Sequence, residues 1–144
     1  MELSCKTKYA LLALLELTSN YQNQEPLQIR QIAEKQDISD RYLEQLLATL
    51  RRGGFVKSQR GAKGGYLLAR SPSEITLLEI VKCLEGSEGT TEAISKFKTP
   101  EQCVVQETWH EIDRAMEAQL KKYNLQTLSE QRNNKQQIDL MYYI

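Results

Sequence analysis

Basic side chains cluster in one stretch of the chain that contains no acidic residue. Between Glu44 and Glu74 the sequence has neither Asp nor Glu. The same stretch holds six cations: Arg51, Arg52, Lys57, Arg60, Lys63 and Arg70. Glycines surround Lys63 in the segment RGAKGGY (residues 60–66), which separates two short strand-like runs. Cations on a hairpin loop suit contact with phosphates, because their charge displaces counterions condensed on nucleic acid. The stretch therefore predicts a basic wing that lies against a DNA backbone.

The segment before this wing predicts an amphipathic helix whose polar face is suited to reading bases. Its apolar stripe consists of Tyr42, Leu43, Leu46, Leu47 and Leu50. Ser39 precedes the stripe as a predicted N-cap. On the opposite face, Arg41 has the donors that pair with guanine, Gln45 suits adenine, and Glu44 accepts from the amino group of cytosine. An ordinary surface helix with a solvated face is the alternative, and the basic wing directly downstream favours the reading helix.

Apolar periodicity and breaker residues predict the elements that position these side chains. The predicted helices cover residues 4–19, 28–36 and 40–52, the strands cover 55–60 and 66–69, and a further short helix ends at Gly86. Two helices joined by a short turn make a helix-turn-helix, and the basic hairpin that follows them adds a wing. The sequence therefore predicts a winged helix-turn-helix that is mainly α, with a small β-hairpin as its wing.

A long helix follows, with an apolar seam that a single small domain does not cover. The seam residues recur at steps of four and three: Val105, Trp109, Ile112, Met116, Leu120 and Tyr123. Such a near-heptad pattern needs a partner helix. A core helix of the same subunit is the alternative, but a short winged-helix body cannot cover so long a stripe. We therefore predict a dimerisation helix that pairs two copies and sets two reading helices one DNA turn, or a multiple of it, apart.

Three segments of this sequence are similar to one group of bacterial regulators. Residues 38–47 (ISDRYLEQLL), 50–58 (LRRGGFVKS) and 60–69 (RGAKGGYLLA) resemble the winged-helix transcriptional regulator family of the IscR, NsrR and CymR kind. The resemblance extends over roughly residues 1–123. It implies a transcription regulator that binds a partly palindromic double-stranded DNA operator as a homodimer. Of the two directions of control, we expect repression. It also implies winged helices at both ends of a long crossed-helix interface.

The resemblance assigns roles to particular positions of this chain. It implies that the groove-facing residues are Ser39, Arg41, Tyr42, Glu44 and Gln45. On the wing it implies that Arg60 reaches the minor groove, while Ser58, Lys63 and Gly64 lie near the DNA backbone.

The predicted organisation has four parts: a winged helix-turn-helix DNA-binding domain (1–85), a flexible sensor loop (86–103), a dimerisation helix (104–128) and a polar C-terminal tail (129–144).

The sensor region departs from the pattern of the cluster-binding members. Those relatives have three cysteines in the loop before the long helix, whereas this chain has only Cys103 there. Gln106 stands where some relatives have histidine, and Lys8 where others have an acid. An iron–sulphur cluster is usually held by four ligands, mostly thiolates.

Three interpretations of Cys103 remain open. It is a redox- or ligand-sensing thiol whose thiolate is stabilised at a helix N-terminus, a ligand of a 2Fe–2S cluster with non-standard partners, or a small apolar residue with no sensing role. The cofactor is therefore unknown from the sequence, and Cys103 is the only candidate metal ligand.

Composition narrows the class of protein. The net charge is zero, but residues 1–72 carry 11 Lys and Arg against 7 Asp and Glu, and residues 73–144 carry 8 against 12. This asymmetry fits one half that meets DNA. No apolar run approaches the roughly 20 residues of a membrane helix, so we expect no membrane partner. Three cysteines at wide spacing suit a reducing cytosol, and we expect a cytoplasmic protein.

An enzyme and a protein-interaction module are the two alternatives to DNA binding. The sequence has one histidine, and its glycine loop lacks the Gly-Lys-Ser/Thr ending of a phosphate-binding loop. We therefore predict that the protein is not an enzyme. A winged helix used only as a protein-interaction module is the second alternative. It predicts no salt-dependent binding to duplex DNA, whereas a DNA-binding regulator loses affinity steeply as salt rises.

Overall fold

The computed structural model describes residues 3–86 and 98–142. The helices are α1 (Cys5–Ser19), α2 (Ile29–Gln36), α3 (Asp40–Arg52), α4 (Leu77–Glu85), α5 (Pro100–Lys121) and α6 (Leu125–Tyr142). The strands are β1 (Val56–Gln59) and β2 (Gly65–Leu68), and a short 3₁₀ turn (Pro72–Glu74) follows the second strand. In the described residues the fold is mainly α with a small antiparallel hairpin, as the sequence predicts. No helix within these residues is long and apolar enough to cross a lipid bilayer.

Helix α1 lies at the centre of the molecule and contacts α2, α3, α4, α6 and β2. Its buried face is Ala10, Ala13, Leu14 and Leu17, in which the two alanines leave room for neighbouring helices to approach closely. Ser4 begins the helix, since its Oγ accepts a hydrogen bond from the N–H of Thr7 at 3.2 Å. A single central helix therefore holds both the reading elements and the C-terminal part.

The helix-turn-helix is formed by α2 and α3. Asp37 ends α2 in the left-handed region at φ 54°, and the N–H of Ile38 donates to the carbonyl of Ala33 at 3.0 Å. Ile38 is buried, so the turn is anchored to the core. Ser39 then begins α3 by accepting from the N–H of Tyr42 at 3.2 Å. The buried leucines of α3 (Leu43, Leu46, Leu47 and Leu50) fix which face of this helix is left outside.

The second strand of the wing pairs both with the first strand and with the connection between α1 and α2. Val56 lies opposite Leu68 and Gln59 opposite Gly65 in the antiparallel register. On the other edge of β2, Tyr66 exchanges two backbone hydrogen bonds with Leu27, at 3.0 and 2.8 Å. The connection between α1 and α2 therefore pairs with the hairpin at one residue, Leu27, a contact that the sequence does not predict.

The predicted dimerisation helix over 104–128 is wrong in its bounds, because the structure divides that range between two helices. Helix α5 ends at Lys121 and α6 begins at Leu125. Between them the N–H of Leu77 donates to the carbonyl of Tyr123 at 2.9 Å, and the N–H of Leu125 donates to the carbonyl of Ile75 at 3.0 Å. These bonds draw the chain out of the helix, and the side chain of Asn124 then accepts from the N–H of Thr127 at 2.8 Å to begin α6.

The two neighbouring segments also differ from their predicted form. Residues 100–103 lie in the first turn of α5, so Cys103 belongs to a helix and not to the predicted sensor loop (86–103). Residues 87–97 of that predicted loop lie outside the described part of the chain. The predicted polar tail (129–144) is helical as far as Tyr142. Only the first turns of α6 are anchored in the core, through the buried Leu125 and Ser129. Gln, which is frequent there, is a good helix former, which accounts for the helix beyond them.

Candidate nucleic-acid interface

The outer face of α3 carries the three side chains predicted to read bases. Arg41, Glu44 and Gln45 are all exposed, and spacings of three and four residues place them on one face of the helix. Their side chains make no hydrogen bond or ion pair within residues 3–86 and 98–142. The structure therefore brings together an arginine, a carboxylate and an amide whose donors and acceptors are open to a partner.

Ser39 and Tyr42, also predicted as groove-facing, are engaged in positioning the helix. The hydroxyl oxygen of Ser39 accepts the N-cap hydrogen bond, which leaves its O–H able to donate outward. The ring of Tyr42 is half-buried and packs edge-on against Tyr9 of α1, with centroids 5.8 Å apart and an interplanar angle of 85°. Tyr42 thus joins α3 to α1, and its remaining surface lies beside the reading face.

The wing turn presents cations at its tip. Arg60 and Lys63 are exposed, whereas Gly64 is buried and its N–H donates to the carbonyl of Gly61 at 2.9 Å. A side chain at position 64 would meet the backbone carbonyl of Gln59, so the turn requires glycine there. The N–H of Gly64 is used inside the turn, and the structure gives this residue the task of shaping the tip that carries Arg60 and Lys63.

Two contacts fix the wing against the end of α3. The N–H of the buried Phe55 donates to the carbonyl of Leu50 at 3.0 Å, which binds the start of the wing to the last turn of the helix. Nη1 of Arg51 lies 3.4 Å from Oγ of Ser58 on β1. The resemblance implies that Ser58 lies near the DNA backbone. Its link to Arg51 is not predictable from the sequence, because only the fold of the wing brings the two together.

The charges on this surface are almost all positive and unneutralised. In the described residues, none of Arg51, Arg52, Lys57, Arg60 and Lys63 forms an ion pair. All five are exposed. Unpaired, exposed cations are the groups that displace counterions from DNA phosphates.

Arg70 is the exception among the six cations of the acid-free stretch. Its guanidinium lies 3.3 Å from the carboxylate of Glu79 and donates to the carbonyl of Glu74 at 2.8 Å. Partial burial alone would raise the pKa of the Glu79 carboxyl, but hydrogen bonds from Thr76 and Arg70 outweigh that effect and lower this pKa. Arg70 therefore stabilises the start of α4 and takes no part in the basic surface.

Within residues 3–86 and 98–142, helix α5 leaves an apolar stripe uncovered. Val105 and Trp109 are 68% and 57% exposed, and Ile112 and Tyr123 are exposed as well. Met116 and Leu120, the other two predicted seam residues, are half-buried. No residue of α5 is buried, and its packing partner is α4, with Lys82 and Glu117 3.9 Å apart. In the described residues α5 is therefore not a core helix of its own subunit, which was the alternative. Val104, which is also exposed, widens the stripe.

The described surroundings of Cys103 do not supply the four ligands that usually hold an iron–sulphur cluster. Its Sγ donates to Oε1 of Glu107 at 3.3 Å within the first turns of α5. This hydrogen bond, some desolvation and the nearby carboxylate charge together raise the pKa of the thiol, which disfavours the thiolate that a cluster or a sensing reaction needs. In the described residues no three His, Cys, Asp or Glu side chains gather as a metal site. Cys5 is exposed elsewhere and Cys83 packs under α3, within reach of the Thr49 carbonyl.

Comparisons with known proteins agree with this surface. A family model named Rrf2 and described as an iron-dependent transcriptional regulator matches residues 3–131. The transcriptional regulator CymR of Bacillus subtilis is 33% identical over 99% of both chains. The regulator IscR of Klebsiella pneumoniae is also 33% identical, over 97% of this chain and 85% of that one.

Solved structures of the same kind superpose well on this fold. T. potens IscR gives a TM-score of 0.75 at 34% identity, covering 93% of this chain and 88% of that one. CymR, described as the global cysteine regulator of B. subtilis, gives 0.74 at 33% identity, over 90% of this chain and 97% of that one. These relatives are regulators rather than enzymes. The matches confirm the resemblance and the winged-helix fold class predicted from the sequence.

Proposed function

The chain belongs to the Rrf2 family of DNA-binding transcription regulators, and we propose that it represses transcription by binding a palindromic operator as a homodimer. The observation that carries this proposal is the joint surface of α3 and the wing. It holds three open base-reading side chains beside five exposed cations, and hydrogen bonds keep the wing fixed to the helix.

In this proposal α3 enters the major groove by its N-terminal half. Arg41 pairs with guanine, Gln45 with adenine, and Glu44 accepts from cytosine or rejects bases that cannot donate to it. Arg60 at the wing tip inserts into the adjacent minor groove, while Lys63 and Ser58 contact phosphates. The phosphate contacts set orientation and affinity, whereas the α3 contacts select the sequence.

The homodimer is supported by the uncovered stripe on α5. Pairing this stripe with the same stripe of a second copy buries Val105, Trp109 and Ile112, which water otherwise surrounds. An isologous interface makes two reading surfaces related by a two-fold axis. The matching operator is therefore a palindrome. A dimer bound to such a site within a promoter blocks RNA polymerase without further contacts, so we favour repression. Because its proposed target is chromosomal DNA, we place the protein in the cytoplasm.

The sensed signal is proposed separately, because the family description includes iron dependence. One half-exposed thiol with a raised pKa, one histidine in the whole chain and no gathered ligand set among the described residues support a protein without a cluster. We infer that Cys103 is held as a thiol at neutral pH. An iron-dependent response is not part of the proposed mechanism.

Selection from a random duplex library, followed by anisotropy titrations at several salt concentrations, tests the DNA-binding proposal. We expect enrichment of a two-fold symmetric sequence and a log–log salt slope of several units. A protein-interaction module would enrich no sequence and show no salt-dependent binding. Enrichment of a single unrepeated half-site would overturn the homodimer on a palindrome while leaving DNA binding intact.

A further inference from the structure

A polar cavity of about 430 Å³ opens between the winged helix and the C-terminal helix. It is bounded by the end of α1, the 3₁₀ turn that follows the wing, and the first turns of α6. Three of its lining residues, Thr18, Pro72 and Ser129, are buried and form its floor, and the other side is open to solvent. Its volume falls in the range of roughly 300 to 1,000 Å³ that is common for small-molecule sites.

The lining is rich in hydrogen-bond donors and carries a single positive charge. Hydroxyls come from Ser19, Tyr21 and Ser71 as well as from the floor, three amide side chains add N–H groups, and Arg132 supplies a guanidinium. None of the residues that line the cavity is acidic. Such a wall complements a ligand that accepts hydrogen bonds and carries negative charge.

Arg132 is held in place by neutral partners. Its Nη1 donates to the carbonyl of Leu15 at 2.9 Å, and its Nη2 donates to Oγ of Ser129 at 3.1 Å and to Oδ1 of Asn133 at 3.3 Å. Arg132 takes part in none of the ion pairs found in residues 3–86 and 98–142. The carbonyl end of α1 offsets some of its charge, yet a half-buried guanidinium without a carboxylate partner retains most of its attraction for an anion.

Donors remain at this position after the internal hydrogen bonds are made. Ser129 accepts from Arg132, so its O–H is available to donate, and Asn133 accepts through its oxygen, so its amide N–H groups are available too. The guanidinium has five N–H groups, of which the internal bonds use four. Three neighbouring side chains therefore offer unused donors at the wall of one cavity.

We propose that this cavity is a binding site for a small polar molecule bearing a carboxylate or a phosphate group. The anionic group pairs with Arg132 and accepts from Ser129 and Asn133, while the hydroxyls of Tyr21 and Ser71 contact the rest of the molecule. The occupant touches α1 and the 3₁₀ turn on one side and α6 on the other. It therefore bridges the DNA-binding part and the C-terminal helix. The site does not depend on the proposed DNA binding, and its test uses no DNA.

Isothermal titration of the full chain with inorganic phosphate and, separately, with citrate tests the proposal, with glycerol as an uncharged probe. We expect at least one of the two anions to bind with one site per subunit, and glycerol not to bind. Preference for phosphate or for citrate distinguishes the two ligand chemistries. Arg132→Gln should weaken binding of the preferred anion about tenfold or more, since it removes a charge-assisted hydrogen bond.

Two further variants keep the test decisive. Arg30→Gln removes an exposed arginine of α2 that pairs with Glu34 and does not line the cavity, and it should change the dissociation constant less than twofold. Gln22→Ala alters an exposed lining residue and should weaken binding about threefold even if Arg132→Gln unfolds the chain. Absence of binding by both anions, or equal weakening by Arg30→Gln and the cavity variants, overturns the proposal.

Discussion

Nη1 of Arg51, in the last turn of α3, lies 3.4 Å from Oγ of Ser58 on the first strand of the wing. This contact joins the helix that carries Arg41, Glu44 and Gln45 to the hairpin that carries Arg60. In the proposed complex the operator contacts both elements at once, so relative movement between them would weaken binding. We therefore assign Arg51 a positioning role in the proposed DNA binding, in addition to its charge.

Arg51→Ala should weaken binding to the selected operator by about tenfold, through loss of both a charge and a hydrogen bond to the wing. Arg52→Ala is the matched control, because Arg52 is an equally exposed neighbour whose contact is to Thr49 within α3. Anisotropy at several salt concentrations separates the two effects. We expect similar salt slopes for both variants and a lower ratio of specific to non-specific affinity for Arg51→Ala alone. Identical ratios would show that the Arg51 contact does not position the wing.

Gly65→Ala should destabilise the protein by about 2 to 4 kcal/mol. The residue has φ 155°, and an added Cβ would meet the backbone carbonyl of Leu27, which cannot move without breaking its pairing with Tyr66. Gly61→Ala is the control, since its φ of 113° strains alanine as well but nothing lies within 4 Å of the added atom. Urea unfolding measures both free energies. A smaller loss at position 65 than at position 61 would contradict the close approach.

Trp109→Asp should convert the protein from dimer to monomer at micromolar concentration, because it places a charge in the centre of the α5 stripe. Ala118→Asp introduces the same charge on the same helix at an exposed position outside that stripe and should leave the dimer intact. Sedimentation equilibrium gives the dissociation constants. Monomeric wild-type protein, or equal effects of the two variants, would refute pairing through this face.

Glu107→Gln should make Cys103 more reactive towards iodoacetamide near neutral pH. The carboxylate of Glu107 accepts a hydrogen bond from the thiol and raises its pKa above the ordinary value of about 9.0, so neutralising that carboxylate lowers the pKa. The pH–rate profile for alkylation, followed by peptide mass spectrometry, should therefore shift to lower pH. Glu101→Gln removes an equal charge from the first turn of α5 without touching the thiol and should shift the profile little. Equal shifts would indicate that the total negative charge near the start of α5, and not the hydrogen bond to Glu107, raises the pKa of the thiol.

Protein purified without air should be colourless, with no absorption bands between about 320 and 600 nm, since Cys103, the one thiol of the predicted sensor region, falls well short of the usual four cluster ligands. Visible charge-transfer bands that disappear in Cys103→Ala would contradict the cluster-free proposal and restore the 2Fe–2S interpretation. Bands that persist in that variant would instead indicate iron held elsewhere.

The sequence predicts the reading helix well because its determinants are local. Ser39 as a cap, the leucine stripe and the glycines after Arg52 fix both ends of α3, and the structure has the helix over the predicted residues Asp40–Arg52. The wing follows from its glycines and cations for the same reason. The sequence also shows the acid-free stretch with its six cations directly. Only the fold shows that one of them, Arg70, forms an ion pair with Glu79.

Features that depend on contacts distant in sequence were missed. Residues 122–124 contain neither Gly nor Pro, so the sequence gives no strong local signal that the chain leaves the helix there to bond with residues 75–77. Asn124 and Thr127 are residue types that cap helices. Their role at the start of α6 becomes clear only when the hydrogen bonds between residues 75–77 and 123–125 are known. The pairing of Leu27 with Tyr66 joins segments about forty residues apart and was equally invisible.

The short backbone bridge between residues 75–77 and 123–125 bears on evolution of the binding site. Main-chain groups make these bonds, so substitutions along α3 leave this joint unchanged. In the proposed dimer, such substitutions would change the preferred bases while the distance between half-sites stays constant. Altering that distance would require insertions or deletions near the joint.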